Sequence, residues 1–262
     1  MHWLGRSNDK REDVKLVFEN VKSIIVLATS YNLGIHHLPN IKEGKISRYA
    51  WGRDYHKVLD KKTRKLRLRL KDLGIDAKFY TDTGPCMDKQ WAVEAGLGWQ
   101  GKNGLVLNKK LGSYFFISVG FLDTEIEEDK PYQDFCGACT KCISACPTGA
   151  IIQDKVVDAN KCISYWTIES TTDKFPKEIS DNLNNWAFGC DICQEVCPWN
   201  NHKNKLSQEF NFLPKENETT FDYEKIKNMT EEEFNIRYLS TPMKRTKLSG
   251  IKRNMEEIRG KV

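Results

Sequence analysis

Cys136-Gly-Ala-Cys139-Thr-Lys-Cys142-Ile-Ser-Ala-Cys146-Pro147 decides how this chain is read. Three cysteines two residues apart, a fourth after three more, and then a proline form the run by which bacterial ferredoxins hold 4Fe-4S clusters. The first three thiolates take one cluster, and the fourth ligates a different one. A second group must therefore exist. Cys190-Asp-Ile-Cys193-Gln-Glu-Val-Cys197-Pro198 repeats the spacing and the proline, and its remaining cysteine lies upstream at Cys162. Crossing the fourth ligands assigns Cys136, Cys139, Cys142 and Cys197 to one cluster. Cys146, Cys162, Cys190 and Cys193 form the other. Four-thiolate zinc also uses Cys-x-x-Cys pairs, but it explains poorly a three-cysteine run closed by Cys-Pro and answered by another. Two clusters so joined pass electrons, so the chemistry they serve lies elsewhere in the chain.

The chain has 9 cysteines in 262 residues, and only Cys86 stands outside this group. No charged-then-apolar leader opens it, and the longest apolar runs, Ser23 to Ala28 and Tyr114 to Leu122, fall short of the roughly 20 residues of a spanning helix. A soluble, cytoplasmic, monomeric protein with reduced thiols is expected, in which clustered cysteines bind metal rather than form disulfides. Cys86 reads as a small buried hydrophobe. Hydrophobic residues at 39% and charged ones at 29% exclude a disordered tail or a collagen-like fibre. The net charge of +5 is a weak pointer to polyanions.

Upstream, Ser23-Ile-Ile-Val-Leu-Ala28 reads as a buried strand. Leu59, Leu66, Leu70 and Leu73 recur at helical spacing among eight lysines and arginines from Lys57 to Lys71, giving a helix with a basic face. That face reads equally as a solvated surface or a phosphate contact. Lys78 to Thr81 is a candidate strand before Asp82-Thr-Gly-Pro85, and Lys89 to Ala95 a helix. Leu105 to Leu107 and Tyr114 to Leu122 read as strands joined in a hairpin through Lys109, Lys110 and Gly112. Gly96-x-Gly98 marks either a close approach to a ligand or a tight turn, and no flavin or nicotinamide fingerprint is evident. Alternating elements make residues 1–128 an α+β domain, with an acidic linker from Glu125 to Asp129. Residues 129–205 form the ferredoxin-like di-cluster domain, of short helices and loops. Residues 206–262 form a basic carboxyl-terminal segment, with a loop from Asn211 to Asn217 and one helical piece from Tyr223 to Tyr238.

Several further motifs occur in order: Trp51-Gly-Arg-Asp-Tyr-His56, Asp82-Thr-Gly-Pro85, Ala95-Gly-Leu-Gly-Trp-Gln-Gly-Lys-Asn103, Gly112-Ser-Tyr-Phe115, Cys162-Ile-Ser164 and Gly189-Cys-Asp-Ile-Cys-Gln194. With the cysteine runs, they resemble the epoxyqueuosine reductase family over most of the chain. The resemblance implies a first domain that binds cobalamin in an α/β-like fold similar to that of reductive dehalogenases. The implied substrate is epoxyqueuosine at the wobble base of a tRNA anticodon stem-loop, reduced with electrons from an external donor. It implies Asp82 as proton donor, its pKa raised by burial; the residues alone read Asp82 as capping its turn. It places corrin contacts at Arg11, Ser47, Asp82, Val106, Ser113, Ile117, Ser164, Asp191 and Ile192, with Lys102 and Asn103 as further candidates for the corrin periphery. It makes His56 a structural partner and His36-His37 an exposed pair, and it argues against His36, His37, His56 or His202 as a cobalt ligand. The segment from Thr241 to Asn254 is the stronger candidate for touching RNA. The family commonly has several dozen residues ahead of Arg11, where this chain opens at Met1-His-Trp-Leu-Gly5, and some members append a helical repeat domain. The competing readings are a ferredoxin-type electron carrier and a cobalamin-dependent reductive dehalogenase.

Overall fold

The computed structural model describes residues 5, 7–37, 43–200 and 205–259. Among the described residues ten strands run in order: β1 (Ser23–Ser30), β2 (Glu43–Ile46), β3 (Ala77–Tyr80), β4 (Trp99–Gln100), β5 (Val106–Leu107), β6 (Phe115–Leu122), β7 (Ile151–Gln153), β8 (Val156–Val157), β9 (Trp186–Phe188) and β10 (Thr220–Asp222). The apolar runs of β1 and β6 pair antiparallel, Val26 opposite Val119, and β3 pairs on the other side of β6. The middle strand is buried nearly throughout, so its side chains read as a continuous apolar run.

The basic helix spans Tyr55–Asp72 and starts at Asp54, whose carboxylate accepts from the His56 N–H. It buries Val58, Leu59 and Thr63 and turns its lysines and arginines outward. Its N-terminus therefore lies where β3 ends, beside Asp82.

A second sheet has the order β10-β2-β9 and takes one strand from each of the three sequence segments. Lys45 pairs with Trp186, Ile46 with Phe188, and Phe221 with Gly44. Gly44 is required there, because a Cβ would meet Met255 Sδ at 2.4 Å and Ala187 Cβ at 2.6 Å. The helix Lys247–Arg259 covers this sheet, burying Leu248, Ile251, Met255 and Ile258. Buried Asn254 donates from Nδ2 to the carbonyls of Thr167 and Ala187, both at 2.8 Å. The three segments thus share one core, in which each of Trp186, Phe188 and Phe221 contributes about 1.5–3 kcal/mol by burial.

Three expectations change and one open reading closes. Val106–Leu107 pairs with β4 rather than β6; only an Asn108–Gly112 bridge closes the loop between them, because β6 is claimed on both edges by β1 and β3. Gly96 and Gly98 serve chain packing: at Gly98 a Cβ would meet the Leu107 carbonyl oxygen at 2.0 Å, and Gly96, at φ +65°, backs onto Lys130. The helical piece after Tyr223 is two helices, Tyr223–Asn228 and Glu231–Tyr238, the second started by a Thr230–Glu233 capping box. The stretch 211–217 carries two short 3-10 turns, Phe210–Phe212 and Lys215–Asn217. Among the described residues no helix is long and apolar enough to cross a membrane.

Candidate functional site

The short helices Lys141–Ala145 and Ile192–Glu195 pack against each other and bring the two cysteine groups together. Cys136, Cys139, Cys142 and Cys197 all line one cavity of about 280 Å³, with Phe135, Trp199 and Leu107. Cys146, Cys162, Cys190 and Cys193 all line a second, larger chamber of about 470 Å³. The crossed sets read from spacing are the sets the fold collects. Among the described residues, no three His, Cys, Asp or Glu side chains meet closely enough to hold a single ion. Each set of four is instead spread along the wall of its cavity.

The chamber is floored by the first sheet and roofed by the cluster loops. Ser47, Asp82, Val106, Ser113, Ile117, Ser164 and Ile192 line it. Arg11 and Asp191 do not. Arg11 stands behind the wall, near enough to Cys86 and Asp88 for its charge to favour their ionised forms. Asp191 is fully buried: it accepts from Ser47 Oγ at 2.6 Å, from the Arg48 N–H at 2.8 Å and from Arg48 Nη1 at 3.1 Å. Burial raises its pKa and the Arg48 charge opposes the rise. Its carboxylate ties β2 to the cluster loop, and Arg48 reaches on to Glu195 at 2.7 Å. Ser113 is held similarly, donating from Oγ to Gln194 Oε1 at 2.8 Å while its N–H donates to Asn200 at 2.7 Å.

Asp82 sits at the rim of the chamber and lines a second, outer cavity of about 560 Å³ with Tyr55, His56, Lys57, Glu169, Lys244 and Arg245. Its φ of +59° is left-handed, a conformation that Asp adopts more readily than most residues. The Tyr55 hydroxyl donates to its Oδ2, and His56 Nε2 faces the same oxygen at 3.3 Å. The other ring nitrogen, Nδ1, lies 2.8 Å from Asp54 Oδ1. Burial works against a charged imidazole here, but the two carboxylates outweigh it and raise the His56 pKa to about 9. The His56 contact, against burial and helped by Tyr55, holds Asp82 below the usual carboxylate range. This overturns the expectation that burial raises it: the proton at this corner rests on His56. Tyr55 and His56 lie in the motif already singled out, but only the fold sets them beside Asp82.

Other residues fall as follows. Cys86 is buried, its thiol donating to Asp88 Oδ1 at 3.2 Å and its pKa pushed up by burial, as suits an inert side chain. Burial raises Asp88 itself to about 6 on the chamber wall. His36 is exposed, but His37 is packed edge-on against Trp51 and Trp186, and burial lowers its pKa to about 4. None of the described histidines lines the chamber; His202 lies outside the described residues. Of the basic end, Arg253 donates to the carbonyls of Trp166, Ser170 and Thr172, and Arg245 pairs with Glu169. Much of that charge therefore anchors the last helix. Lys261 lies outside the described residues.

Fold and site define a mixed α+β iron–sulfur oxidoreductase with two four-cysteine cavities, the larger of which is also a roomy chamber. A model of the 4Fe-4S double cluster binding domain matches residues 135–200, and one described as "Epoxyqueuosine reductase QueG, DUF1730" matches residues 11–83. The epoxyqueuosine reductase of Atelocyanobacterium thalassa (isolate ALOHA) is 40% identical over 254 residues, covering 97% of this chain and 83% of that one. That of Synechocystis sp. is 39% identical over 258 residues, covering 98% and 89%. A crystal structure of epoxyqueuosine reductase with an epoxyqueuosine-modified tRNA-Tyr stem loop superposes with TM-score 0.88 at 32% identity, over 95% of this chain and 67% of that one. The Streptococcus thermophilus enzyme superposes with TM-score 0.86 at 30% identity, over 95% and 67%. The chain belongs to the epoxyqueuosine reductase family.

Proposed function

We propose that this chain reduces epoxyqueuosine to queuosine at the wobble base of a tRNA, with cobalamin in the chamber and two 4Fe-4S clusters feeding it. One observation carries the reading: four cluster cysteines and the Asp82 corner stand on the wall and rim of the same chamber. Electrons arrive from one direction and a proton from another. The reaction removes one oxygen as water, so an epoxide, two electrons and two protons give an alkene and water.

The chamber suits a corrin. Its lining combines apolar side chains with the small hydroxyls of Ser47, Ser113 and Ser164, which a flat macrocycle with amide arms can meet closely. Cobalamin supplies the two-electron chemistry at the carbon–oxygen bond, and the protein orients and tunes it. Ser47, Val106, Ser113, Ile117, Ser164 and Ile192 would hold it; Arg11 and Asp191 support the wall from behind. This likeness in parts to reductive dehalogenases belongs to the same proposal. At neutral pH Asp82 is ionised and His56 charged. Asp82 takes the proton that His56 gives up and passes it to the departing oxygen, Tyr55 holds the carboxyl group in place, and solvent supplies the second proton that completes the water. Lys57, Lys244 and Arg245 ring the outer cavity and favour the phosphates of a splayed anticodon loop.

Replacing Asp82 with Asn tests this. Turnover of an epoxyqueuosine-bearing stem-loop is expected to fall by about 10²–10⁴-fold while cobalamin stays bound, and undiminished turnover overturns the proton-donor role. Retention of full iron with no cobalamin binding would favour a ferredoxin-type carrier.

A further inference from the structure

Asn103 stands in the wall between the two cavities and lines both. It occupies a tight turn in which the Gly104 N–H donates to the Gly101 carbonyl at 2.9 Å and the Gly101 N–H to the Leu105 carbonyl at 2.8 Å. Its Oδ1 accepts from the Leu105 N–H at 3.2 Å, which fixes the amide's orientation, because the flipped amide would set N–H against N–H. The residue is 6% exposed, and its Nδ2 is buried without a partner. A buried donor left unmade costs about 1–3 kcal/mol, so a turn that fixes one has a use for it.

The smaller cavity, the tighter of the two at about 280 Å³ against about 470 Å³, offers a strong acceptor. Four thiolates face it, and its other lining is largely apolar and aromatic. Lys102, the neighbouring cation, is already paired with Asp154 at 3.2 Å. Resting on the two-cluster reading above, we propose that the Asn103 amide donates a hydrogen bond to a sulfur of the cluster held by Cys136, Cys139, Cys142 and Cys197, and thereby raises that cluster's reduction potential. An N–H···S bond favours the reduced cluster, which carries one more negative charge, and such bonds are among the recognised determinants of cluster potential. Asn103 acts through the cluster and is a positioning residue rather than a catalytic one.

The test is an EPR-monitored redox titration of the full chain, reconstituted with iron and sulfide without oxygen, for wild type, Asn103→Leu and Asn103→Asp. Asn103→Asp keeps the acceptor that the Leu105 N–H needs, and so the turn, but loses the donor. All three proteins are expected to hold about eight irons, the content of two four-iron clusters. Both variants should show one midpoint lowered, making reduction about tenfold harder, or about 59 mV for one electron. The shifted midpoint should belong to the cluster whose signal does not respond to added cobalamin. Unmoved midpoints in Asn103→Leu overturn the inference, as does weakened cobalamin binding with both midpoints in place; a fall in Asn103→Asp alone reflects added charge and overturns it too. Wild-type protein well short of eight irons would bring down the two-cluster reading itself.

Discussion

The cluster cavities, proposed to supply electrons, and the Asp82 corner, proposed to supply a proton, are built in opposite ways. Each cluster set comes from cysteines at fixed short spacing plus one distant member, and short helices and loops present all four to a single void. The acid corner joins residues 54–56, 82, 169 and 244–245, held by a helix N-terminus, a left-handed residue and a carboxyl-terminal turn. Ligation is a property of residue type and spacing. Protonation is a property of neighbours, and neighbours come from the fold.

The largest effect should follow from breaking the ligation side. Cys139→Ala is expected to lose one cluster, cutting iron by about half, and to abolish turnover while cobalamin binding survives. Iron analysis and a binding titration check this. Cys190→Ala should lose the other cluster, whose cysteines line the chamber, and disturb cobalamin as well.

Next comes the acid corner. Asp82→Asn should lower the single-turnover rate by about 10²–10⁴-fold, the usual worth of a general acid. His56→Gln should cost less, because Asp82 remains, but it should change the pH profile. Wild-type turnover is expected to fall as pH rises through about 9, where His56 loses its proton, and that limb should vanish in the variant. Stability follows the same sign. His56 titrates at 6.5 ordinarily and about 9 here, so its contribution is complete below 6.5 and lost as pH rises through about 9. Melting temperatures of wild type and His56→Gln should therefore differ most below pH 6.5 and converge above 9.

The smallest effect lies outside both sites. Asn254→Ala leaves the Thr167 and Ala187 carbonyls without their donor and should cost about 1–3 kcal/mol of stability by denaturant titration. Iron content should be unchanged. The segment behaves as core, whatever its charge.

The same contrast explains what could be read from the sequence. The strands at Ser23 and Tyr114, the basic helix and all eight cluster cysteines were legible, because apolar runs, helical periodicity and ligand spacing are local signals. The pairing of Leu105 to Leu107 was not, because the edges of β6 were taken by strands far away in sequence. The sheet joining residues 43–46, 186–188 and 220–222 was invisible for the same reason. Asp191 was expected as a corrin contact, but it does not line the chamber and is buried against Arg48, 143 residues away in sequence. Asp82 was singled out by its motif, and the fold places it at the chamber rim. Its protonation was misjudged, because the argument from burial omitted His56, whose ring only the fold turns toward it.

The account stands or falls on one assay: conversion of an epoxyqueuosine-bearing tRNA stem-loop by anaerobically reconstituted protein with cobalamin and a chemical reductant, followed by mass spectrometry of the released nucleoside. Wild-type protein is expected to remove one oxygen from the base, and Asp82→Asn to do so about 10²–10⁴-fold more slowly. An unchanged base with protein that holds both clusters and cobalamin, or equal conversion by the variant, would contradict it.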